Sequence, residues 1–72
     1  MNVIRQNAEA TPEAIAKAAE VTRLSRRMVG LTAIGEHDAA GSYETRLLRS
    51  KAEYAIIVDR YVIEQSRVKS VA

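Results

Sequence analysis

The sequence predicts an all-α protein, an antiparallel helical hairpin of two long helices over about 12–34 and 42–69, and three observations carry that prediction. Apolar side chains recur at helical spacing on both sides of one Gly-bounded break, residues 35–41. The segment after the break, from Tyr43 to Lys69, contains neither Gly nor Pro. Within it Leu47, Tyr54, Tyr61 and Val68 stand at intervals of seven, the period of helix packed on helix.

The first long helix has a marked start. Thr11 is a suitable N-cap, Pro12 falls at the first helical position where its missing N–H costs nothing, and Glu13 complements the positive end of the dipole. At about 100° per residue, Ala14, Ile15, Ala18 and Val21 share one broad face with Leu24, Met28, Val29 and Leu31. Arg23, Arg26 and Arg27 lie opposite. Gly30 is a weak point near the end, costing the helix about 1 kcal/mol relative to alanine.

Gly35-Glu36-His37-Asp38-Ala39-Ala40-Gly41 reads as the loop, with Gly35 suited to the left-handed position after a helix and Ser42 as the cap of the second helix. Glu44 then falls in that helix's first turn, and Arg67 with Lys69 near its negative end. Leu47, Leu48, Tyr54, Ala55 and Ile57 open its apolar stripe, and Val58, Tyr61, Val62 and Val68 continue it. The run YAIIVDRYVIE, residues 54–64, also has strand-forming composition, but Asp59-Arg60 breaks the alternation a half-buried strand requires. Residues 1–10 have no clear period and read as a flexible or docking arm, with Val3 and Ile4 able to seat on a neighbour.

The 72 residues make one domain at most, of a size that buries only about 60% of its unfolded surface. With no cysteine there is neither a disulfide nor a thiolate metal site to reinforce it, so packing must supply the stability. Eleven Lys and Arg against nine Asp and Glu, a net charge of +2, permit a nucleic-acid partner without requiring one. The start MNVIRQNAEA carries Arg5 and no apolar segment, so it does not read as a secretory signal. The uncharged run from Met28 to Gly35 is far short of the roughly 20 apolar residues of a membrane span. The expected location is the cytoplasm, or a virion if a phage encodes the chain.

The second helix has more apolar side chains than one partner helix can cover. Ala52, Ile56 and Ile63 fall at about 140° to 180° from the Leu47 stripe, on the far side of the helix. A helix apolar on two faces is normally an interior helix, and a two-helix hairpin has an interior only if it associates. Ala52, Ile56 and Ile63 are therefore the candidate partner interface, facing a second copy in a bundle or a larger protein.

No catalytic constellation and no cofactor or metal site can be assembled from the residues. His37 stands between Glu36 and Asp38, but one imidazole and no thiol fall short of the three or four ligands a transition metal takes. The three glycines, at 30, 35 and 41, do not form a phosphate loop. An enzyme is not expected. Arg23, Arg26 and Arg27 are the candidate nucleic-acid contact, brought by the hairpin toward Arg46, Arg49 and Lys51. Glu20, Glu36, Asp38, Glu44 and Glu53 occupy that same end, and Arg49–Glu53 and Arg60–Glu64 have the spacing of local ion pairs.

Two resemblances accompany these readings. IAKAAEVTRLSRRMV, residues 15–29, resembles the helix-turn-helix of bacterial repressors through Ile15, Ala16, Ala19, Val21 and Thr22. That likeness implies a turn near Glu20 and a recognition helix opened by Thr22, Arg23, Ser25 and Arg26. The sequence departs from it at Glu20, where the turn glycine belongs, and at Arg26, where a buried apolar residue belongs, which favours one continuous helix. DAAGSYETRLLRSKA, residues 38–52, and the apolar run after it are similar in architecture to the helical-hairpin co-chaperones of type III secretion needles.

The functional expectation is a non-catalytic protein that associates with itself or caps a larger assembly, a structural, accessory or chaperone-like component of a bacterium or phage. Its rival is a small DNA-binding regulator. The expected intrachain contact sets Val21, Leu24, Met28 and Leu31 against Leu47, Tyr54, Val58 and Tyr61.

Overall fold

A computed structural model describes residues 3–71, with side chains through Val68, and is helical almost throughout. Among the described residues there are three helices: α1 (Val3–Glu9), α2 (Pro12–Ala33) and α3 (His37–Val71). α2 and α3 form the expected antiparallel hairpin, and the molecule is a rod of 56 × 20 × 16 Å. Among the described residues no helix is long and apolar enough to cross a membrane.

α2 begins as its sequence dictates. Thr11 is extended (φ −67°, ψ 149°), its Oγ1 accepts from the Ala14 N–H at 3.2 Å, and Pro12 opens the helix. The Thr11 hydroxyl also donates to the Ala8 carbonyl at 3.0 Å, which ties α2 to the end of α1. The last turn holds despite Gly30. Gly35 N–H reaches Thr32 O at 3.1 Å and Glu36 N–H reaches Leu31 O at 2.9 Å, the paired bonds of a Schellman cap around Gly35, whose φ is +81°.

The connection is shorter than the sequence suggested. Ala40 N–H already donates to Glu36 O at 2.9 Å, so α3 starts at His37 and takes in Gly41 and Ser42 as interior residues. Ser42 is not its cap, and Asp38 rather than Glu44 is the acid of the first turn. The reason is Ala40, which is buried in the seam; its contact offsets the cost of about 1 kcal/mol for a helical glycine at 41. The Lys69 side chain, assigned above to the helix C-terminus, lies outside the described ones.

The N-terminal segment, read from the sequence as a flexible or docking arm, contains a short helix. Residues 3–9 form α1, which packs chiefly on α3, with Ala8 fully buried, Ile4 half-buried and Val3 turned outward. Met1 and Asn2, the start of the expected arm, lie outside the described residues.

The expected seam forms. Leu24, Leu47 and Val58 are buried, Leu24 and Val58 to 1% exposure, and Val21, Met28, Leu31, Tyr54 and Tyr61 are half-buried around them. Ala14 is fully buried as well. Ile15, Val29, Leu48 and Val68, placed by the wheel on the covered faces, are instead exposed. On α2 the predicted arc spans about 200°, whereas one neighbouring helix shields little more than about 100°.

The three glycines give opposite expectations. A Cβ at helical Gly30 or Gly41 would meet no atom, while the positive φ of Gly35 strains any other residue. Gly30→Ala and Gly41→Ala should each raise the unfolding free energy by about 0.5–1 kcal/mol, and Gly35→Ala should lower it by about 1 kcal/mol. Urea denaturation followed by helical circular dichroism reads all three.

Candidate interaction surface

A polar layer crosses the seam and fixes how the two long helices meet. Lys17 occupies a seam position on α2, between Ala14 and Val21. Its Nζ donates to Glu53 Oε2 across the hairpin at 2.9 Å and to Glu20 Oε2 at 3.0 Å. Ser50 is 4% exposed, three residues after Leu47 and four before Tyr54, and its hydroxyl donates to Glu20 Oε1 at 3.2 Å. Lys17 opposite Glu53 and Glu20 opposite Ser50 define one antiparallel register, which sets Pro12 level with Val58. The rest of α3 runs on past α2, and α1 packs on α3 there.

The layer perturbs the ionisation of its members. Hydrogen bonds to Glu53 and then to Glu20 raise the Lys17 pKa above its ordinary value. Hydrogen bonds from Lys17 and then from Ser50 lower that of Glu20. Both groups stay partly open to water, so solvent screening keeps the layer's net stabilisation small and its main effect is on register. Among the described residues no buried side-chain polar atom lacks a partner.

The candidate interface residues lie outside this seam. Ile56 and Ile63 are 55% and 56% exposed on α3 outside the seam, and Ala52 is exposed beside them. A shallow groove along α3 runs between Ile56 and Ile63, with Asp59, Arg60, Glu64 and Arg67 on its walls. A second groove, between the long helices, continues from it through Ile56 and Ile57 to Ala16 and Glu13. The expected Arg49–Glu53 and Arg60–Glu64 ion pairs do not form within the chain. Glu53 turns to Lys17, which leaves Arg49, Arg60 and Glu64 directed to solvent.

A further apolar flank was not foreseen. Ile15 and Val29, with Thr22 midway between them, stand at intervals of seven on α2; Leu48 is exposed on α3. The signal was present in the sequence: if Ala14, Val21 and Met28 are seam positions, the residue after each of them points out of the seam.

Arg23, Arg26 and Arg27 are exposed on the outer side of α2. α2 runs unbroken through Glu20 and Val21, so the turn implied by the helix-turn-helix resemblance is not formed, and Glu20 serves the interhelical layer instead. Arg46 lies over the Tyr43 ring, 5.1 Å from its centroid. His37 is an exposed residue in the first turn of α3 rather than part of a loop. Among the described residues no three His, Cys, Asp or Glu side chains gather where they could hold a metal ion. No protein-family model, curated protein or solved structure matches the chain.

The polar layer has a defined pH signature. The depressed Glu20 pKa contributes stability that is complete above the ordinary glutamate value of about 4.3 and is lost as pH falls through the lower native value. The raised Lys17 pKa contributes stability that is complete below the ordinary lysine value of about 10.4 and is lost as pH rises through the higher native value. Glu20→Gln should flatten the acid limb of the urea midpoint plotted against pH, and Lys17→Met should flatten the alkaline limb.

Proposed function

We propose that this chain is a non-catalytic helical protein that works by association, with itself or with a partner protein, as a structural, accessory or chaperone-like component of a larger bacterial or phage assembly. The observation that carries this reading is the imbalance between its core and its surface. Among the described residues Ala8, Ala14, Leu24, Ala40, Leu47 and Val58 make up the buried apolar core, and three of these six are alanines. Large apolar side chains that remain more than half exposed include Ile15, Val29, Leu48, Ile56 and Ile63. Each isoleucine would contribute roughly 1.5–3 kcal/mol on full burial, a large increment for a domain this small.

The arrangement of the exposed residues adds to the argument. Single exposed apolar residues are ordinary on any surface. Here Ile56 and Ile63 stand seven residues apart on α3, and Ile15 and Val29 twice that on α2, the spacing at which another helix could lie along them. The duplex-binding alternative would use Arg23, Arg26 and Arg27, but it depends on a turn that α2 does not make.

Light scattering on purified protein tests the reading. The native chain should have the mass of a dimer or larger, or form a stable complex with its partner. Ile56→Glu combined with Ile63→Glu should reduce that mass while helical circular dichroism is retained. An unchanged mass for the folded, soluble double variant would remove the Ala52, Ile56, Ile63 face from the interface.

A further inference from the structure

We infer that the occupant of the Ile56 face is a second copy of this chain, with α3 lying antiparallel on its own symmetry mate about a two-fold axis near Ile56. This inference rests on the association reading above and adds to it a partner, an orientation and a register.

The apolar residues suit such a pairing. With the axis between Ile56 and Ile57, Ile56 packs beside its own copy, and each Ile63 lies about 3 Å along the helix axis from the small Ala52 of the other α3. All three residues are exposed outside the seam, and Ile56 also borders the groove that α3 shares with α2. A two-fold interface requires a surface complementary to itself, and the large residue near the small one supplies this on both sides of the axis.

The charges select the orientation. Along one flank of this face Arg49, Glu53, Arg60, Glu64 and Arg67 alternate in sign. An antiparallel two-fold sets that flank against the same flank of the other copy. In the register given by Ile56, Arg49 then lies opposite Glu64 of the second copy and Glu53 opposite Arg60, with both pairs repeated by symmetry. A parallel pairing would set this flank against the other side of the face, where Ala52, Asp59 and Ser66 offer one carboxylate for the three arginines. Arg49, Arg60 and Glu64 make no ion pair within the chain, and Glu53 uses Oε2 for Lys17. Arg49, Arg60 and Glu64 are therefore left for a second copy, while Glu53 would be shared with Lys17.

Arg49 and Glu64 provide a direct test, because they are about 22 Å apart along one helix and cannot meet within a chain. Sedimentation velocity on the native protein should show a dimer. Arg49→Glu should weaken that dimer roughly tenfold by setting like charges opposite one another at two symmetric contacts. Adding Glu64→Arg to the same chain should restore the native dissociation constant. Neither residue has an intrachain partner, so helical content should be unchanged throughout. A dimer indifferent to Arg49→Glu, or one not restored by the second substitution, would overturn the antiparallel register and leave association to another face, such as that of Ile15, Val29 and Leu48. A native chain that stays monomeric would overturn both the register and self-association.

Discussion

Two helices in contact share one seam, and the amount of apolar surface that seam can hide limits everything else about this chain. α2 and α3 each offer an arc of side chains wider than the strip the other can cover. The seam takes Leu24, Leu47 and Val58 fully and Val21, Met28, Leu31, Tyr54 and Tyr61 in part. Apolar residues outside that strip, such as Ile15 and Ile56, stay in water because no third long helix among the described residues receives them. The cost of that exposure is what makes association the favoured functional reading.

The polar layer determines which residues occupy the seam. An apolar strip repeated every seven residues could slide by one repeat and still bury similar side chains. Lys17 joined to Glu53, and Ser50 to Glu20, are satisfied in one register only. That register aligns the start of α2 with Val58 and leaves the rest of α3 to α1, whose end is held through the Thr11 hydroxyl on the Ala8 carbonyl. It also draws Glu53 away from Arg49. A contact inside the hairpin thus sets the charge pattern on its outer face.

Most of the architecture was legible in the sequence. Thr11-Pro12, Gly35 and the sevens from Leu47 to Tyr61 each correspond to a physical device found in the structure: a cap, a left-handed helix stop and a packing seam. What was hidden depended on tertiary contact. α1 has only seven residues and no periodic pattern, and a helix that short is stable only when docked. The start of α3 was obscured because Gly41 reads locally as a loop residue, while burial of Ala40 decides the matter. Lys17 and Ser50 are polar types at seam positions, so a hydrophobic wheel passes over them although their heptad positions identify them. The same wheel set Ile56 and Ile63 outside the seam but drew the covered face of α2 too wide, which concealed the exposure of Ile15 and Val29.

Thermal unfolding across a range of protein concentrations tests most directly whether one seam is too little for this chain to stand alone. If the outer faces are buried against a second copy, unfolding is coupled to dissociation, and the midpoint should climb steadily over roughly a hundredfold rise in concentration. A midpoint independent of concentration, in a protein that remains monomeric throughout, would show that the single seam suffices and would contradict the proposal of self-association.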